Sequence, residues 1–183
     1  MSQTNKRGFN SLVMLATLAM LIALEVVLSR LVAPINTQFS KISFAFVPVV
    51  IASYLYGVKG GVAVAGIADV IGAVLFPSGE FFPGFTLTAI LQGLIFGIFL
   101  SKKFDDKLKN VFVRTLIPVL LSQILLSLLL NTYWLSYMYH SQFSALLVTR
   151  VVQTLVMTAV QAVISPLFIK SFSKIRSIKM LRN

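Results

Sequence analysis

Residues 9–31 read FNSLVMLATLAMLIALEVVLSRL, an apolar run without glycine or proline whose only charged side chains are Glu25 and Arg30. A bilayer core about 30 Å thick needs roughly 20 apolar residues of helix, so this run is long enough to cross a membrane by itself. It follows Lys6 and Arg7 as a secretory signal would, yet it is too long for such a segment's apolar region and no small-x-small cleavage site follows. It is read as a retained helix. The same rule applied outward gives five more spans, at residues 44–57, 60–76, 85–100, 111–139 and 144–172. The second is short and contains Pro48, and Pro118 is expected to kink the long fifth span. None of these runs alternates apolar and polar residues, which argues against a β-barrel. The expectation is an all-α integral membrane protein of about six helices in a single domain, with a basic tail at 173–183.

Composition agrees. Of 183 residues, 57% are hydrophobic and 11% charged, with a mean hydropathy of +0.91. That leaves too few polar side chains to cover a water-facing surface or to keep a chain disordered. The formal charge of +11 comes from 16 basic against 5 acidic residues. With the N-terminus inside, the cytoplasmic segments hold Lys6, Arg7, Lys59, Arg114, the cluster from Lys102 to Lys109 and the tail from Lys170 to Arg182. The outer loops hold Lys41 alone, and Arg30 and Arg150 lie within spans. Such a bias places both termini in the cytoplasm and accounts for the charge without nucleic acid.

Several chemistries are excluded. The only phosphate-loop lookalike, Gly61 to Gly66, is followed by Ile67 where lysine is required. The chain has no cysteine, one histidine (His140) and no nucleophile-elbow or zinc-helix motif. No cofactor and no enzymatic activity are expected. Any uphill work must draw on a partner or an ion gradient.

Ionisable groups at membrane depth are costly and face cavities or partners. Arg30 closes the first span at its outer end. Asp69 sits roughly 10 Å below the outer end of the third, and Arg150 roughly 9 Å into the sixth, at about 1.5 Å of rise per residue. Trp134 and Tyr137 fall in the last turns of the fifth span, and Gln92 lies early in the fourth. Polar and aromatic groups from five spans thus gather in the outer third of the membrane, with almost none expected in the inner half. Two arginines face one aspartate, and Glu25 lies more than a turn below Arg30. The surplus positive charge suits an anionic ligand, and the aromatic rings suit a flat heterocycle. A bland alternative makes Asp69 structural glue for an arginine and puts the aromatics in an interfacial belt.

Small residues recur at four-residue spacing in Ala19-x-x-x-Ala23 and Gly93-x-x-x-Gly97. The glycines are read as helix packing within the bundle. Ala16, Ala19 and Ala23 form a smooth stripe on an otherwise bulky helix, which could receive another protein's helix. With this stripe, six basic-inside helices and no ATP site, the chain resembles the substrate-binding S components of energy-coupling-factor vitamin transporters. The segment DVIGAVLFPSGEFFPGFTLTA, residues 69–89, is similar to the folate-specific branch.

That resemblance implies a six-helix S-component fold with an outward-facing, loop-capped pocket. It also implies a transmembrane coupling subunit as partner, docked on Ala16, Ala19 and Ala23, together with two cytoplasmic ATPases. Folate fits the chemistry already read from the residues. Arg30 and Arg150 are candidates for its two carboxylates and Asp69 for its pterin edge. Phe82, Phe85, Trp134 and Tyr137 are candidates for stacking, with Thr86 and Gln92 beside them. Loop residues Pro34 and Asn36, and Pro77, Gly79 and Pro83, are candidates for gating. Riboflavin, pantothenate or biotin are alternative ligands within the fold, thiamine being disfavoured by its own positive charge. A membrane scaffold is the alternative outside it.

Overall fold

The computed structural model describes residues 3–32, 35–36, 41–77, 80–102 and 110–174. Helix α1 (Gln3–Val26) runs on through a π-helical turn at Val27–Leu31. A two-residue ladder follows, in which β1 (Ile35–Asn36) pairs antiparallel with β2 (Lys41–Ile42). Helices α2 (Phe46–Leu75), α3 (Pro83–Leu100), α4 (Val111–Tyr139) and α5 (Phe143–Lys174) complete an all-helical bundle. Among the described residues these five helices are long and apolar enough to cross a membrane.

The second and third predicted spans are joined in α2, which breaks at Gly57. Its φ of 63° and ψ of −147° belong to a region that side chains with a Cβ rarely enter. Here the chain doubles back on itself. A methyl group on Gly60 would strike the carbonyl of Ala52, and one on Gly61 the hydroxyl of Ser53. The linker expected at 58–59 therefore shrinks to one reversing glycine with helix on both sides, so α2 is two antiparallel arms that correspond to the second and third expected spans. Pro48, third in α2, falls in the first turn, where no N–H is needed. The glycine pair on α3 does pack inside the bundle. Gly93 meets the backbone of Gly61, and Gly97 that of Val58, so the two helices approach backbone to backbone.

Helix α4 starts at an Asn110 cap, whose Oδ1 accepts from the Phe112 N–H at 3.0 Å. Pro118 removes a donor from its ladder, and the helix widens to π bonding over Ser122–Leu130. His140, in the left-handed region at φ 49°, ends it. Arg114 is no loop charge. It is 5% exposed, and its Nε and Nη2 donate to the carbonyls of Phe99 and Leu100 at 2.9 and 2.6 Å. It thereby satisfies carbonyls that the end of α3 leaves without helical partners.

Large apolar side chains point outward, Met20, Val74 and Val148 being 73%, 71% and 69% exposed. Inside, Val64, Phe96, Leu100 and Val119 are completely buried, alongside Ser53, Thr115, Thr132 and Ser165. Lipid tails are as apolar as leucine, so helix association here rests on close packing and internal hydrogen bonds. Gly61→Leu should therefore cost at least about 1–3 kcal/mol by overpacking, read as a lower thermal midpoint in detergent. Val148→Leu, on the lipid face, should leave the midpoint unchanged.

Candidate functional site

A cavity of about 370 Å³ lies between all five helices, at the end of the bundle where α1 stops and α3 begins. Its size falls in the usual range for small-molecule sites, about 300–1,000 Å³.

Arg30, in the π turn of α1, reaches across to α2. Its Nη2 lies 3.7 Å from Asp69 Oδ1, with the two side chains 13% and 24% exposed. The crossing needs the space left by Gly72, where a Cβ would stand 2.8 Å from Arg30 Nε. Thr86, in the first turn of α3, donates to Asp69 Oδ2 at 2.7 Å. The carboxylate is thus held from two helices at once. Arg150, seven residues into α5 and 6% exposed, donates from Nη2 to the Ser127 carbonyl of α4 at 3.0 Å.

Arg30, Asp69, Phe82, Phe85, Gln92 and Arg150 all line this one cavity. Thr86, Trp134 and Tyr137 stand behind its wall. The Trp134 ring lies 5.4 Å from Phe82, and its Nε1 donates to Thr88 Oγ1 at 3.2 Å. Tyr137 packs 6.0 Å from Phe82 and is 64% exposed. Phe82 therefore presents an aromatic surface backed by two further rings. Of the predicted gating residues, Pro77 lines the cavity and Pro83 opens α3. Asn36 sits in β1, and Pro34 and Gly79 lie outside the described residues. Ala16, Ala19 and Ala23 are exposed along one face of α1 and do not line the cavity.

The inner part of the cavity differs from the sequence expectation. Arg150, Gln153, Met157 and Gln161 line it from one stripe of α5, and Gln161 lies about 27 Å along that helix from its first residue. From the π segment of α4 come Gln123 and Ser127, and from the residue after it Asn131; α1 adds Glu25. Gln123 and Gln161 are 5% and 2% exposed, and their Oε1 atoms have no hydrogen-bond partner; the same holds for Asn131 Oδ1. The polar lining thus runs far deeper than the outer third. A reading weighted to charges and rings passes over these carboxamides. Their signal was present, since Gln153 and Gln161 follow Arg150 at helical spacing.

Comparison with known proteins places this geometry in a family. The profile described as "ECF transporter, substrate-specific component" matches residues 13–169. The folate transporter FolT of Clostridium novyi (strain NT) is 33% identical over 147 residues, which cover 80% of this chain and 82% of that one. FolT of Leuconostoc mesenteroides subsp. mesenteroides is 38% identical over 153 residues, covering 81% and 80%. A solved structure of FolT bound with folic acid matches with a TM-score of 0.72 at 35% identity, covering 81% of this chain and 86% of that one. By profile, by sequence and by fold, the chain belongs to the substrate-specific components of ECF transporters.

Proposed function

We propose that this chain captures folate in the five-helix cavity and delivers it through an ATP-driven coupling complex. The observation that carries the reading is a cavity bordered by Arg30 and Arg150, walled by Phe82 and Phe85, in a chain similar to folate transporters. Two guanidinium groups offer charge-assisted bonds to the two carboxylates of the glutamate tail. Asp69, held by Arg30 and Thr86, fixes the Arg30 guanidinium in place, which supports a positioning role over a pterin contact. Trp134 and Tyr137 act through Phe82, stiffening the ring that a flat ligand would stack on.

Energy comes from outside the chain, which carries no phosphate-binding loop. The stripe of Ala16, Ala19 and Ala23 is the docking face for the transmembrane coupling subunit, and two cytoplasmic ATPases drive the cycle. The stripe's exposure supports this. So does its setting among the exposed Leu12, Leu15 and Met20, where a flat groove admits a partner helix closely. With both termini in the cytoplasm, as the basic residues direct, the cavity opens outward.

Calorimetric titration of the detergent-purified chain tests the ligand. One-to-one folate binding should exceed that of riboflavin, thiamine, pantothenate and biotin by at least about 100-fold. Arg150→Ala should weaken folate by roughly 10- to 100-fold, as for a lost hydrogen bond to a charged group. Tighter binding of another vitamin would reassign the branch, and an unchanged affinity would remove Arg150 from the site. Docking is tested separately. Ala19→Trp with Ala23→Trp should abolish co-purification with the coupling subunit while folate affinity stays at the parent value.

A further inference from the structure

We infer that Thr88 is a positioning residue for ligand capture, the middle of a hydrogen-bond relay that fixes the Phe82 ring at the cavity wall. This rests on the folate reading and adds to it the groups that hold the wall still before a ligand arrives.

Phe82 needs such a support. It stands just before α3 with an extended backbone, φ −129° and ψ 123°, so no helical turn restricts its side chain. Its ring lies 5.4 Å from Trp134, 6.0 Å from Tyr137 and 6.1 Å from Phe85. Of these neighbours only Trp134 is itself tied across to α3 by a side-chain hydrogen bond.

An indole N–H away from water must find an acceptor. Trp134 Nε1 donates to Thr88 Oγ1 at 3.2 Å, and Thr88 Oγ1 donates to the Gly84 carbonyl at 2.9 Å. Thr88 lines the cavity and is 5% exposed. A hydroxyl has one proton to give, however, and this one is spent on Gly84. Thr88 therefore serves the wall and has no donor left for a ligand. The relay ends where the rings also need room. A Cβ on Gly84 would strike the Phe82 ring and stand 2.7 Å from Trp134 Cδ2. Both rings thus rest on bare backbone in the first turn of α3, with Thr88 one turn further along holding the second of them.

A ring fixed in advance spares the ligand the cost of ordering it. Losing the relay should therefore weaken folate by about 2- to 10-fold, the cost of immobilising one free side chain on association.

Trp134 is the chain's one tryptophan, so its fluorescence reports on the relay directly. Time-resolved anisotropy of the full-length protein in detergent should show fast local motion of the indole in Thr88→Val, and none in the parent or in Thr88→Ser. Folate affinity, measured by titration, should fall by the stated factor in Thr88→Val and return in Thr88→Ser. In a Phe82→Leu background Thr88→Val should cause no further loss, because the relay acts through that ring. Where the valine variant is not monodisperse, Trp134→Phe cuts the relay from its other side and should show the same dependence on Phe82. An indole as rigid in Thr88→Val as in the parent, an unchanged folate affinity, or an equal loss with and without Phe82 overturns the positioning role while leaving folate binding intact. A parent chain that binds no folate overturns both readings.

Discussion

Three arginines sit where lipid offers them nothing, and the bundle is tied together by what they bond to instead. A charge within a bilayer must be met by protein groups. Arg30 meets Asp69 and joins α1 to α2. Arg150 meets the Ser127 carbonyl and joins α5 to α4. Arg114 meets the last carbonyls of α3 and joins α4 to that helix. Thr86 closes the remaining gap by holding Asp69 from α3. Removing Asp69 would take from Arg30 its carboxylate and from Thr86 its acceptor, loosening three helices together. Two of the three ties border the cavity, so holding the fold and shaping the site are the same task.

The cavity inherits its grading from this arrangement. Arg30 and Asp69 cluster where α1 ends and α3 begins, and the carboxamides lie further in, together with Glu25 of α1. Both π-helical segments coincide with it. Val27–Leu31 carries Ser29 and Arg30, and Ser122–Leu130 carries Gln123 and Ser127. Such widened turns recur at functional sites. Here each supplies an arginine or the carbonyl that holds one. The opposite end is the close-packed one, where α2 reverses at Gly57 and α3 lies against it through Gly93 and Gly97.

Much of this was legible in the residues. The apolar runs set out the helices because hydrocarbon thickness imposes a length that few other folds demand. Arg30, Asp69, Phe82, Phe85, Gln92 and Arg150 stood out by the cost of polar groups at depth or by aromatic density, and one cavity gathers them. Other features were not legible. Gly57 reads correctly as a span end, but hydropathy cannot tell one reversing residue from a short loop. Arg114 reads as topology, because its two carbonyl partners are backbone groups that every residue has. Trp134 and Tyr137 are at the site's edge but stand behind Phe82, a matter of helix rotation that spacing alone leaves open. Gln123 and Gln161 carry only the weak signal of helical spacing, because an uncharged amide in an apolar run resembles ordinary helix packing.

The central claim is that the cavity bordered by Arg30 and Arg150 is where folate is captured. An experimental structure of the folate-bound protein tests this most directly. The account predicts ligand inside the five-helix cavity with a carboxylate within hydrogen-bond distance of Arg30 or Arg150. Folate bound outside that cavity, or within it but touching neither arginine, would contradict the account.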